Sequence, residues 1–276
     1  MNSPLRYPGG KTRAIHTLNQ ILHDNFDITT YDFIVSPFCG GCSFELSLIN
    51  QLPNTNFFLS DIFKPLIIFW QQVQQRNDKL VEELTKYIGN VDKDWFTTLR
   101  NDLLQLMNIE PLYEHILEIA TEYFIINRCS FSGSTFSGGF SSDAATNRFT
   151  KSSINKIHQL KDKLNKVQFC YLPFEETFNL VQQLINNNHK VFIFCDPPYY
   201  LSNSKLYGIN GDLQTNFNHE LFHTLITNSN CDYMITYNNC SYIRELYKNN
   251  TIIEANWSYG MNKSHKSSEI VILSIG

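Results

Sequence analysis

The sequence predicts an α/β fold, a doubly wound and mostly parallel sheet carrying a mainly helical insertion. Three observations lead there. Short β-rich runs alternate with helical patterns along most of the chain. The strand candidates are continuously apolar, as strands covered on both faces are. Between residues 66 and 127 the alternation stops and only helical patterns remain.

In chain order, DFIVSPF at 32–38 and NFFLS at 56–60 predict the first two strands, with a helix over 43–52 between them. The insertion predicts helices near 66–88, 93–107 and 112–127. Pro65 and Pro111 stand at helix starts, where a missing N–H is harmless. A Ser/Gly-rich loop over 130–147 follows. VQFCYL at 167–172, VFIFCDP at 191–197, YMITY at 233–237, IIEANW at 252–257 and EIVILSI at 269–275 predict the remaining strands. Helices over 152–165, 176–187 and 218–228 fit among them. This divides the chain into a discontinuous core, 1–64 with 150–276, and an insertion over 65–149.

Composition narrows the function classes. The 276 residues are 42% hydrophobic and 14% aromatic, which excludes global disorder. Lys+Arg of 22 against Asp+Glu of 26 gives a net charge of −4, which excludes a chain held to nucleic acid by bulk charge alone. The charge is unevenly spread, however. Residues 1–23 contain Arg6, Lys11 and Arg13 and no acid. Residues 78–126 carry ten acids against four bases, and 128–171 carry seven bases against two acids. The seven cysteines lack paired spacing apart from Cys39 and Cys42, MNSPLRYPGGKTR has no apolar leader, and IFKPLIIFW is too short to span a bilayer. A reduced, cytoplasmic protein without membrane attachment is expected.

The sharpest constellation is FIFCDPPYY at 192–200. A buried strand ends at Asp196, at the strand end where α/β sheets place ligands. Pro197 and Pro198 fix the backbone beyond it, and Tyr199 and Tyr200 follow. A carboxylate, a free prolyl carbonyl and a flat ring together suit a planar amine. The two oxygens accept the amino hydrogens while the ring stacks on the heterocycle.

SPFCGGCSFEL at 36–46 reads as strand, glycine turn and helix start, which lets a cofactor approach backbone N–H groups. Asp61 ends the next strand 20 residues after Gly41, where such sheets bind ribose hydroxyls. Asp61 also suits a helix N-cap. In LRYPGGKTR at 5–13, GGKT invites a phosphate-loop reading, but that motif needs glycine at position 5, which is Leu5.

With these three pieces in order, the chain resembles the Dam-like, α-group DNA adenine-N6 methyltransferases. Tyr7-Pro8-Gly9-Gly10-Lys11 matches their opening segment and Pro37-Phe38-Cys39-Gly40-Gly41-Cys42 their cofactor turn, with Cys42 in place of the usual last glycine. Asp61, an insertion, and Asp196-Pro197-Pro198-Tyr199 then follow in the family's order. Arg148-Phe149-Thr150 and the SSEIVI run at 267–272 are similar too. The resemblance implies a Rossmann-like methyltransferase sheet with a target-recognition insertion. It implies S-adenosylmethionine as methyl donor, no metal, and adenine in double-stranded DNA as acceptor.

By that similarity Tyr7, Lys11, Phe38, Gly40 and Asp61 line the cofactor pocket, with Asp196 at its border. Asp196 and the Pro197 carbonyl localise the lone pair of an amino group otherwise delocalised into the ring, and Tyr199 stacks on a base flipped from the duplex. Asp196 need not be a strong base, because a methylated ammonium is acidic. Arg128, Arg148 and Lys151 are the expected DNA contacts, with the 130–147 loop entering a groove. A monomer is expected, with a cognate restriction endonuclease as a genetic rather than physical partner.

Four further patterns have plainer readings. Glu110, Glu114, Glu118 and Glu122 recur every fourth residue and predict a solvated helix face. Lys156 to Lys166 predict another. Cys39 and Cys42 form a C-x-x-C with no second pair to complete a zinc site. His219-Glu220-Leu221-Phe222-His223 is a literal H-E-x-x-H, with Glu245 as a conceivable third ligand, so a zinc metallopeptidase is the remote alternative. Cytosine-N4 and RNA amino-methylation are the nearer ones.

Overall fold

Asp196 and the glycine turn meet because of where two strands lie in one sheet. The computed structural model describes residues 1–106, 115–200, 217–257 and 267–274. Its seven strands are β1 (Phe33–Ser36), β2 (Asn56–Asp61), β3 (Val167–Tyr171), β4 (Val191–Cys195), β5 (Asp232–Asn238), β6 (Thr251–Trp257) and β7 (Ser267–Leu273). They lie in the order β3-β2-β1-β4-β5-β7-β6, with β1 to β5 parallel and β7 antiparallel to both neighbours. The order reverses between β1 and β4, and ligands of such sheets bind beyond the carboxyl ends at that switch point.

Alternate residues of each strand feed two separate cores, which is why the strands read as unbroken apolar runs. Ile34, Phe57, Leu59, Phe192, Phe194 and Met234 face one core. Val35, Phe58, Ile193, Cys195, Tyr233 and Ile235 face the other. The first core is closed partly by α1 (Ile15–Asn25), through Leu18, Ile21 and Leu22. The second is closed by α9 (Phe174–Asn186), α10 (His219–Thr227) and α11 (Ser241–Leu246). Helix α2 (Glu45–Gln51) leaves the glycine turn after β1.

Between β2 and β3 lie α3 (Lys64–Gln75), α4 (Asn77–Lys86), α5 (Lys93–Leu106), α6 (Ile116–Cys129), α7 (Ser142–Asn147) and α8 (Lys151–His158). The single helix expected over 66–88 is broken at Arg76 (φ −133°, ψ 39°), where Asn77 donates to the carbonyls of Val73 and Ile157. Helix α3 packs on β2 and β3, and Trp70 on it donates 3.0 Å to the Gly40 carbonyl. It therefore supports the sheet and the glycine turn. Helix α8 opens on a Thr150–Ser153 capping box and stops at His158, short of the expected 165. Pro111, Glu110 and Glu114 lie outside the described residues.

Two expectations fail in the insertion. Glu122 is buried at 7% exposure, because α6 is sandwiched between α3 and α5 and is covered on that side too. The 130–147 segment is more structured than a loop. A 3-10 turn at Phe131–Gly133, a Ser130–Phe140 bridge and α7 order it.

Candidate active site

The turns after β1 and β4, the N-terminal segment and the end of β2 enclose a cavity of about 370 Å³. Tyr7, Lys11, Phe38, Gly40, Asp61 and Asp196 all line it, as does Pro198. A cavity of this size suits a small organic ligand.

Asp196 is held from two sides. Lys11 Nζ lies 2.6 Å from its Oδ2, and Thr236 on β5 donates 2.6 Å to its Oδ1. Lys11 is only 3% exposed against 23% for Asp196, so the carboxylate is the more open member of a pair that lines the cavity together. Lys11 also donates 2.9 Å to the Gly9 carbonyl and lies 5.1 Å from the centre of the Tyr199 ring. The Tyr199 hydroxyl donates 2.5 Å to Glu269 on β7, itself 1% exposed. Asp196 and Tyr199 are thus tied to β5 and β7 and to the N-terminal segment.

At the other end, Asp61 accepts from the N–H groups of Gly40 at 3.0 Å and Phe63 at 2.9 Å. It caps the turn into α3 and fixes the glycine turn at once. A carboxylate offers roughly four acceptor sites, so these backbone N–H groups leave capacity for a ligand. Burial pushes its acid constant up to about 6 against the pull of those N–H groups.

The glycines serve a neighbour as well as a ligand. A Cβ on Gly40 (φ +44°) or Gly41 would come within 2.8 Å of the Tyr7 side chain, so the turn is bare because Tyr7 lies on it. Cys42 takes a left-handed backbone (φ 49°), which explains why glycine is usual there. Its thiol is buried and directed at the Gly40 carbonyl, 3.8 Å away. Phe38 packs edge-on against Phe217 and Phe222.

Of the expected DNA contacts, Arg148 and Lys151 are exposed and Arg128 is not. Arg128 is 8% exposed, and its guanidinium donates to the carbonyls of Pro4 and Arg148. Burial pushes its acid constant down to about 10, and the charges of Arg6 and Arg148 push the same way. It is a staple joining the N-terminal segment to the insertion, not a phosphate contact. Phe131, at 65% exposure, is the large apolar side chain this region presents to solvent.

The H-E-x-x-H residues serve packing. His219 Nδ1 is 2.8 Å from the Tyr237 hydroxyl and its ring is held neutral by burial, with an acid constant near 4. His223 stacks edge-on against Tyr247, and Glu245 pairs with Lys248 at the surface. Among the described residues, no cluster of three or more His, Cys, Asp or Glu is placed to hold a metal ion.

Residue-type reading passed over Glu45, Thr236 and Glu269. Glu45 stood inside the quoted turn, and Glu269 inside SSEIVI, but neither has a spacing that marks it. Thr236 sits mid-strand and carries no local signal at all.

A seven-stranded sheet in this order, parallel but for β7, with a switch-point cavity lined by Asp61 and Asp196, has the S-adenosylmethionine-dependent methyltransferase fold. Residues 7–261 match the D12 class N6 adenine-specific DNA methyltransferases, and the chain belongs to that family. It is therefore an enzyme that uses S-adenosylmethionine to methylate adenine in DNA at N6. No curated protein matches the chain by sequence. Among solved structures, a human methyltransferase 10 domain-containing protein resembles it with a TM-score of 0.40 and 10% identity, covering 98% of this chain and 81% of that one. Among the described residues, no helix is long and apolar enough to cross a membrane.

Proposed function

We propose that the cavity is the cofactor site and that Asp196, Pro197, Pro198 and Tyr199 form the acceptor site of a monomeric enzyme acting on a short target in double-stranded DNA. The observation that carries this is the Asp196 carboxylate, fixed by Lys11 and Thr236 at the mouth of a cavity also lined by Asp61. Tyr7, Lys11, Phe38, Gly40 and Asp61 would hold S-adenosylmethionine, with Asp61 at the strand end where such sheets bind ribose hydroxyls. When bound, that cofactor supplies a methyl group made electrophilic by its sulfonium.

The chain's own residues do the rest. Lys11 and Thr236 hold the two Asp196 oxygens in place before a base arrives. The incoming amino group then shares Oδ2 with Lys11 and donates its second hydrogen to the Pro197 carbonyl. Tyr199, anchored through Glu269, offers a face to the extruded base. Holding nitrogen and methyl in line supplies much of the acceleration.

Residues 65–149 include the target-recognition insertion, reached from the sheet through α3. Arg148 and Lys151 contact phosphates, while Phe131 is exposed enough to wedge between bases and support flipping. Seven free cysteines fit action on DNA in the cytoplasm. Expression in a host lacking adenine methylation, followed by single-molecule sequencing, tests the reading. One short motif carrying N6-methyladenine is expected, and methylation confined to cytosine or RNA would overturn it.

A further inference from the structure

The cavity holds more negative charge than the roles above use. Among the described residues its lining contains one cation, Lys11, already paired with Asp196. Against it stand Asp61, Asp196, Glu45 and the exposed Glu175. Asp61 and Asp196 have partners and tasks. Glu45 has neither an expected task nor a position where chance would leave it. It opens α2 at the base of the glycine turn, is 3% exposed, and accepts 2.9 Å from the Ser36 hydroxyl at the end of β1. A carboxylate buried in a cavity wall is costly unless something compensates it.

Position says what that something is. Asp61 ends β2 on one side of β1, whereas Asp196 follows β4 on the other. Glu45 sits close enough to Asp196 and Lys11 to feel both charges, so it belongs to the Asp196 end. A methyl delivered to an amine at Asp196 places the sulfonium at that end, together with the amino-acid tail attached to it. We propose that the Glu45 carboxylate, braced by Ser36, is the counter-charge for the cationic methionine end of S-adenosylmethionine. This rests on the cofactor-site reading of the cavity. It adds a recognition residue for the donor and a reason for the cavity's surplus of acid.

The linkage with pH follows. In the free protein burial, aided by Asp196 and opposed by Ser36 and Lys11, pushes the Glu45 acid constant up to about 7. Lys11 from the N-terminal turn, Asp196 and Cys195 from the β4 end, and Cys39 and Cys42 from the glycine turn face it. Burial raises all three thiols, so they stay neutral in this range. A bound cation favours the ionised carboxylate, so donor affinity rises with pH as Glu45 loses its proton. Asp61, near 6, titrates in the same range, and the Glu45 variant separates the two.

The test is calorimetric binding of S-adenosylmethionine, S-adenosylhomocysteine and uncharged 5′-methylthioadenosine to the wild type and Glu45→Gln, from pH 5.5 to 7.5. Wild-type affinity for S-adenosylmethionine should rise on the order of tenfold across the range. Glu45→Gln should bind it about tenfold more weakly at pH 7.5, with a flatter profile, and bind methylthioadenosine as the wild type does. Equal losses for the first two ligands assign the contact to the α-ammonium, and a larger loss for S-adenosylmethionine assigns it to the sulfonium. Unchanged S-adenosylmethionine affinity in a folded Glu45→Gln would overturn the proposal. Failure of all three ligands to bind the wild type would instead reject the cavity as the cofactor site.

Discussion

Thr236 Oγ1 donates 2.6 Å to Asp196 Oδ1 while Lys11 Nζ lies 2.6 Å from Oδ2, so both oxygens of the carboxylate are held by the fold itself. A hydrogen bond to a charged group contributes about 1.5–3 kcal/mol. If the Thr236 bond orients Asp196 for the transition state, Thr236→Val should lower kcat by about ten- to a hundredfold. S-adenosylmethionine affinity should barely change. A Thr236→Ser variant restores the hydroxyl and should recover most of the rate.

The Tyr199–Glu269 pair anchors the ring proposed to stack on the base. Tyr199→Ala removes the ring and should cost far more activity than Tyr199→Phe, which removes only the anchor. Glu269→Gln should cost little in a Tyr199→Phe background, because the bond it modifies is already gone. A double-mutant cycle on kcat/KM reads that coupling, expected at about 1 kcal/mol.

Arg128 and Arg148 should separate by assay. Arg128→Ala leaves the buried Pro4 carbonyl and the part-buried Arg148 carbonyl without their donor, so it should destabilise the fold by about 2–4 kcal/mol. For a chain of this size that is a Tm loss of several degrees. Arg148→Ala and Lys151→Ala should leave Tm unchanged, weaken DNA binding, and each reduce the slope of log K against log salt by about one.

Glu122 gives the fold a stability profile of definite sign. Its Oε2 finds no partner among the described residues. Burial, then Glu118 and Asp102, push its acid constant up to about 8. The folded state therefore holds the proton more tightly than the unfolded chain. Stability is greatest below the ordinary glutamate value and declines as pH rises toward 8. Asp61 and Glu45, raised to about 6 and 7, add the same sign. Thermal unfolding of the free protein should show Tm falling from pH 5.5 to 8.5. Glu122→Gln should raise Tm at pH 8.5 and shrink the fall.

The sheet was legible because its central strands, such as β4 (VFIFC, buried throughout), are short apolar runs bounded by turn residues. All seven strand expectations coincide with strands. Helix α1 is not predicted although Leu18, Ile21 and Leu22 have helical spacing, because its N-cap position is Ala14 and no capping side chain marks its start. Arg128 was misplaced for a general reason. Charge patterning along a sequence counts residues per segment, whereas burial depends on what crosses over the segment, here residues 4–6 from the far N-terminus. Glu122 failed likewise, since periodicity shows which residues share a face and not whether another helix covers it. Thr236 and Glu269 act across strands, so only the register reveals them.

Asp196 bears most of the chemistry proposed here, and its conservative replacement is the most direct measurement. Asp196→Asn keeps the shape and replaces one acceptor oxygen by a donor amide. Methyl transfer to DNA adenine should fall by at least a thousandfold, about 4 kcal/mol of lost transition-state stabilisation. Fold and DNA binding should survive, shown by circular dichroism and gel shift. Near-normal N6-methyladenine formation by the folded Asp196→Asn protein would contradict the account.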